Sequence, residues 1–214
     1  MSHPLLEASS IAFGYPGSSA ILNEWNGSFS SGETVAVTGP SGRGKSTLLY
    51  LLGLMVHPKS GAIVVNGTDA TRLADWRRAH LRATLFGFIF QDAALDSTRT
   101  VLDNVLETSL YRREPRAEMR ERALLLMRQF GVDLRASGKP GQISGGQAQR
   151  VSLCRALLGN PQFVLADEPT GNLDPDSATI VMDALRDRAN SGSVVIIASH
   201  DPILVARCDR AITL

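Results

Sequence analysis

The chain has 214 residues, 43% of them hydrophobic, which is enough to fill a substantial core without disulfides or metals to staple it. Its 22 Lys and Arg against 21 Asp and Glu leave a formal charge of +1, so no overall field draws it to nucleic acid or anionic lipid, and any anion site must be local. The two cysteines, Cys154 and Cys208, are too few for a disulfide framework or a zinc site and suggest a reducing compartment.

The start, MSHPLLEASS, lacks the basic flank and apolar stretch of a signal peptide, so the expectation is a protein made and kept in the cytoplasm. IAF near residue 12 reads as a strand, and FGYPG after it as a turn that carries Tyr15. TVAVT, residues 34 to 38, has the length and β-branched content of a buried strand. Directly after it comes GPSGRGKST, namely Gly39, Pro40, Ser41, Gly42, Arg43, Gly44, Lys45, Ser46 and Thr47, which satisfies G-x-x-x-x-G-K-[ST] in a strand-loop-helix setting. Glycines let successive N–H groups turn inward on a phosphate, and the helix that follows adds its partial positive end. Lys45 would reach the β- and γ-phosphates of a nucleotide, and the Ser46 hydroxyl would join the shell of a Mg²⁺ ion that keeps several waters.

The helix begun at Lys45 should end near Gly53; the apolar run Leu48 to Val56 is about half of the roughly 20 residues a membrane span requires. AIVVNG (62 to 67) resembles a strand of an antiparallel portion, and FGFIF (86 to 90) a shorter strand of the main sheet, followed by Gln91. From about Asp92 to Ser144 two helix-period segments follow each other without a strand pattern. Thr98 or Thr100 can cap the first, whose apolar side holds Val101, Leu102, Val105 and Leu106. Met119, Ala123, Leu126 or Met127, and Phe130 mark the second, which should end at Gly131. Arg112, Arg113, Arg116, Arg120, Arg122 and Arg128 crowd this stretch and read as a solvated helix face, with a partner surface as the alternative.

ISGGQAQR (143 to 150) then opens a further helix, with Val151, Cys154, Leu157 and Leu158 at helical spacing. A single nucleotide already occupies the first glycine-rich helix start, so this second anion-binding start must serve something else. FVLADE places Asp167 and Glu168 at the carboxyl end of a buried strand, where α/β folds bind ligands. Asp167 can hold Mg²⁺ through water and Glu168 can take a proton from an attacking water; a pair of acids capping the loop to Pro169 is the plainer alternative. SVVIIAS (193 to 199) gives another strand, ending beside His200, and AITL closes a late one. Strands alternating with helices indicate an α/β fold with a mixed sheet.

The SGGQ helix start, Asp167-Glu168-Pro169-Thr170, Gly171-Asn172-Leu173-Asp174 and the strand ending in Ser199-His200-Asp201 together resemble the nucleotide-binding subunit of an ABC transporter, over nearly the whole chain. The resemblance implies an α/β P-loop NTPase with a mixed β-sheet core and a helical subdomain. Residues 1–214 would form one domain, its core about 1–91 and 160–214 and its helical part about 92–159. It implies that Tyr15 stacks on adenine, that Gln91 senses Mg²⁺ and joins the core to the helical part, that His200 contacts the γ-phosphate, and that Asp174 lies at a dimer interface. Ser144, Gly145, Gly146 and Gln147 of one copy would close on the γ-phosphate held by the other, which answers what the second helix start is for.

The resemblance therefore implies ATP and Mg²⁺ as cofactors, a homodimer formed on ATP binding, and an integral-membrane permease docked near Gln91, with the chain peripheral on the inner face of the cell membrane. DEPTGNLDPDSA and LDNVLE are similar to the branch of lipoprotein-release and macrolide-export ATPases, pointing to export or mechanotransmission. Ile143, where leucine is usual, and the bulky Arg43 in the phosphate loop depart from the pattern without removing a catalytic group. A soluble ATP-driven clamp acting on nucleic acid or ribosomes is the alternative from another class, and a P-loop nucleotide kinase would leave SGGQ and His200 idle.

Overall fold

A computed structural model describes residues 4–17, 19–112, 114–171 and 173–214; Arg113 of the arginine cluster and Asn172 of the GNLD run lie outside the described residues. The chain opens with strands β1 (Leu6–Phe13), β2 (Leu22–Phe29) and β3 (Thr34–Thr38), then helix α1 (Lys45–Leu52), strands β4 (Ser60–Val65) and β5 (Thr68–Asp69), helix α2 (Asp75–Leu85) and strand β6 (Phe86–Ile89). Helices α3 (Val101–Leu106), α4 (Arg116–Gln129) and α5 (Gly145–Leu157) follow, and then β7 (Phe163–Asp167), α6 (Pro175–Asn190), β8 (Val194–Ala198), α7 (Pro202–Ala206) and β9 (Arg210–Thr213).

Parallel and antiparallel pairing both occur, divided between two sheets. One is antiparallel with strand order β2-β1-β4-β5, and the other is parallel with order β6-β7-β8-β3-β9. Every residue of β7 and β8 is buried, as strands covered on both faces require. Their side chains divide by alternation. Val164, Ala166, Val195 and Ile197 join a core with helices α3 to α6, while Phe163, Leu165, Val194 and Ile196 face α1 and the antiparallel sheet. The helical stretch thus shares its core with one face of the parallel sheet.

The parallel pairing aims the carboxyl ends of β3, β6, β7 and β8 at one edge. The segments that continue from them, 39–47, Gln91, Asp167–Glu168 and Ser199–His200, are gathered there for that reason alone.

Helix ends follow local chemistry. Thr100 caps α3, accepting from the Asp103 N–H at 3.0 Å, and α4 gives way to Gly131 in the left-handed region at φ 66°. Gly53 is the C-cap of α1, and a Cβ there would come within 2.4 Å of the Phe88 ring.

One expectation fails. Arg112 does not belong to a solvated face: its side chain is 8% exposed, and the guanidinium donates to the carbonyls of Ala83, Thr84 and Gly159. It joins the end of α2 to the turn after α5, and a side chain on Gly159 would push the guanidinium off these carbonyls. Arg116 and Arg128 do point to solvent.

Candidate functional site

The loop between β3 and α1 is shaped by contacts that only glycine allows. Gly44 sits in the left-handed region at φ 94° as the N-cap of α1, and a Cβ on it would lie 2.3 Å from Ile21 Cγ2. A Cβ on Gly39 would meet the Leu214 carbonyl oxygen at 2.8 Å, and the Leu214 N–H donates to the Thr38 carbonyl. Between these glycines Pro40 and Arg43 close a turn, with the Arg43 N–H donating to the Pro40 carbonyl at 3.3 Å. Ser41, Gly42 and Arg43 are exposed, whereas Thr47 is buried under the first turn of α1. Lys45 folds back across the loop and donates Nζ to the Gly39 carbonyl at 2.8 Å and the Pro40 carbonyl at 3.2 Å. A cation held by neutral carbonyls within an exposed loop is free to trade them for phosphate oxygens.

Asp167 ends β7 at 6% exposure, and the Ser46 hydroxyl hydrogen-bonds its carboxylate. Burial pushes the Asp167 pKa up, and this outweighs the pull of Ser46 and Lys45 in the other direction. The two side chains form a hard, all-oxygen pair next to the phosphate loop, a donor set that suits Mg²⁺. Among the described residues no group of three or more His, Cys, Asp or Glu could hold a metal, so an ion here would take its other ligands from phosphate and water.

Glu168 follows in a left-handed conformation at φ 44°, unusual for a residue with a side chain and costing about 1–3 kcal/mol. The twist is held by its N–H donating to the Ala198 carbonyl at 2.9 Å. It turns the carboxylate toward the end of β8, where the Ser199 hydroxyl donates to Oε2 at 3.0 Å and His200 Nδ1 lies 2.7 Å from Oε1. Ser199 is fully buried; the His200 side chain is 75% exposed. Exposed Gln91 shares a pocket of about 140 Å³ with Glu168, Gly145 and Leu173, so three separate sequence segments meet there.

Ser144 caps α5 through a reciprocal pair: its hydroxyl accepts from the Gln147 N–H at 3.2 Å, and Gln147 Oε1 accepts from the Ser144 N–H at 3.0 Å. The hydroxyl proton of Ser144 remains available, and nothing lies within 4 Å of where a Gly145 Cβ would be. This helix start therefore has open space beside Gly145. Gly146 lies against Asp174 and Ser177, and Asp174 caps α6 by accepting from the Ser177 N–H at 2.9 Å. That bond, foremost, holds the Asp174 carboxyl below the usual range. Tyr15 is 43% exposed, its ring edge-on to Phe13 with centroids 5.1 Å apart.

Two residues escape the motif reading. Gln149 and Arg155, both buried on α5, bond to backbone carbonyls on either side of Gln91. The signal available in the sequence is the polar series Gln149, Ser152, Arg155 at three-residue spacing, in a helix with apolar residues between them.

A family profile described as ABC transporter matches residues 22–171. The lipoprotein-releasing system ATP-binding protein LolD of Paramagnetospirillum magneticum is 42% identical over 195 residues, covering 91% of this chain and 86% of that protein. The macrolide export ATP-binding/permease protein MacB of Burkholderia pseudomallei is 40% identical over the whole chain, which spans 33% of that protein's length. The dimeric post-hydrolysis structure of the ATP-binding cassette MJ0796, bound to ADP and Pi, superposes with a TM-score of 0.90 at 30% identity over 98% of this chain and 94% of that one. Motif order, sheet-edge geometry and these likenesses agree, and the chain belongs to the ABC transporter family as its ATP-binding, ATP-hydrolysing cassette.

Proposed function

We propose that two copies of this cassette close head to tail on ATP and Mg²⁺, and that the cycle drives an integral-membrane permease in export, lipoprotein release or mechanotransmission. The observation that carries this reading is the convergence of Lys45, Ser46, Asp167, Glu168 and His200 at one sheet edge, while the helix start at Ser144 and Gly145 has open space beside it. A site with its phosphate cradle on one copy and a spare anion-binding helix start is completed by a second copy in two-fold symmetry.

In this scheme the loop from Gly39 to Thr47 wraps the phosphates with backbone N–H groups, and Lys45 gives up its carbonyl partners to reach the β- and γ-phosphates. Tyr15 stacks on the adenine. Ser46, Asp167 and Gln91 hold Mg²⁺, which when bound offsets the negative charge that builds on the phosphate oxygens. Glu168 accepts the proton of the attacking water, His200 contacts the γ-phosphate, and Ser144, Gly145, Gly146 and Gln147 of the other copy close on the same phosphate. Asp174 lies where the copies meet. The γ-phosphate favours the closed pair, and its loss releases it.

The division into a core of about 1–91 and 160–214 and a helical part of about 92–159 then has a mechanical sense, because the helical part carries Ser144 and adjoins Gln91. A groove of about 970 Å³ between α2 and the helical part is lined by Trp76, His80, Phe88, Phe90, Tyr111 and Arg155, with Trp76 and Tyr111 each about two-thirds exposed. A short apolar helix of a permease is the occupant we assign to it, at the cytoplasmic face of the membrane. Relatives named for lipoprotein release and for an ATP-binding/permease protein support this over a soluble clamp.

The test is light scattering with Mg-ATP on Glu168→Gln protein, alone and with the permease. A dimer is expected; a strictly monomeric protein in both cases overturns the reading.

A further inference from the structure

Two buried polar side chains on α5 have no catalytic or nucleotide-binding part in the scheme above. Gln149, 5% exposed, donates Nε2 to the Phe90 carbonyl at 3.1 Å. Arg155, 8% exposed, donates Nη2 to the Ala93 carbonyl and Nη1 to the Ala94 carbonyl, each at 2.8 Å. Gln91 lies in the short run between these anchored carbonyls.

The arrangement is costly in two ways. A guanidinium is taken out of water, and among the described residues only Glu107, 3.9 Å away, offers it a carboxylate. Ala94 is held in the left-handed region at φ 48°, which an alanine does not adopt without restraint. Neither cost secures a sheet ladder or a helix end. What both secure is the position of the loop 90–94 relative to α5, the helix that Ser144 opens.

We propose that Gln149 and Arg155 are positioning residues for Gln91, clamping its loop to α5 and so fixing where Gln91 stands relative to Glu168. Ala94, Glu107 and Arg155 also line the groove between α2 and the helical part, so whatever fills that groove presses on the same clamp. The inference rests on the role given to Gln91 above.

The test uses the full chain with Gln149→Leu and, separately, Arg155→Lys, which keeps the charge but not the two-carbonyl grip. Hydrogen exchange of the amides of 91–95 should quicken about tenfold, the loss of one buried bond, while those of 151–157 stay protected. With Mg-ATP, kcat should fall about ten- to hundredfold at unchanged KM, as for a displaced catalytic group. In a Gln91→Ala background neither variant should lower kcat further, because each acts through Gln91.

Unchanged exchange across 91–95, or losses that multiply with Gln91→Ala, overturn the proposal. If Gln91→Ala alone leaves turnover intact, the role of Gln91 fails, and the exchange measurement still decides whether the clamp exists. Should Arg155→Lys not fold, Gln149→Leu carries the test alone.

Discussion

Glu168 Oε1 and His200 Nδ1 lie 2.7 Å apart, and with Ser199 on Oε2 both oxygens of the carboxylate are engaged within the chain. Each oxygen keeps a further lone pair able to take a proton, while the two bonds fix where the carboxylate points. Buried Ser199 is fixed, whereas exposed His200 can swing out. In the proposed scheme, movement of His200 to the γ-phosphate would break its bond to Oε1 and leave Ser199 to hold the carboxylate.

Glu168→Gln should cut ATP turnover by about 10²- to 10⁴-fold, the usual scale for loss of a general base, with nucleotide binding retained. Steady-state turnover with a parallel binding assay checks it. Near-normal turnover removes Glu168 from that role.

Ser199→Ala should lower kcat by about tenfold through a loosened Glu168 and leave KM for ATP unaltered, the value of one buried hydrogen bond to a charged group. It also strips the Asp201 N–H of its acceptor at 3.1 Å, so a small drop in melting temperature accompanies it. A raised KM at constant kcat would assign Ser199 to binding instead.

Lys45→Ala should weaken ATP affinity by about ten- to hundredfold, the range for a lost charge-assisted bond. Titration calorimetry without turnover measures this. Unchanged affinity would mean that Lys45 keeps its Gly39 and Pro40 carbonyls when nucleotide binds.

Asp167→Asn should abolish turnover yet stabilise the nucleotide-free protein. Burial raises the Asp167 pKa above the value of 3.8 it has when unfolded, so its contribution favours folding at low pH and is lost as pH rises through the folded pKa. Removing the charge therefore helps most at neutral pH, by about 2–4 °C in melting midpoint if it is worth roughly 1 kcal/mol, and not at all where both states are protonated. Melting curves across pH with a lower midpoint for Asn at pH 7 would contradict this.

Asp209→Asn tests the opposite sign. The Thr34 N–H and hydroxyl, each at 2.7 Å, and Arg186 depress the Asp209 pKa to about 2. The stabilisation is complete above the unfolded value of 3.8 and fades as pH falls toward about 2. Since Asp209 is well exposed, a cost of about 1 kcal/mol at pH 7 is expected after allowance for screening, closing at acid pH. Urea midpoints of the two proteins that differ equally at pH 7 and pH 2 would refute it.

The parallel strands were legible because burial on both faces leaves long apolar runs, as in TVAVT and FVLAD. The phosphate loop and the SGGQ start were legible because their backbone geometry restricts residue type. β2 was not, because LNEWNGSF lies at a sheet edge and buries only Leu22 and Phe29 deeply. Nor was α2, whose most buried residue is Arg78, donating to the carbonyls of Leu54 and Val56. Arg112, Gln149 and Arg155 show the same limit at the level of function: even where spacing marks a long polar side chain, it does not say which distant carbonyl the side chain reaches, so the partners appear only once the chain is folded.

The backbone of Leu214 packs against Gly39 closely enough to forbid a methyl group there. Whatever segment follows Leu214, native or appended, would consequently start beside the loop 39–47.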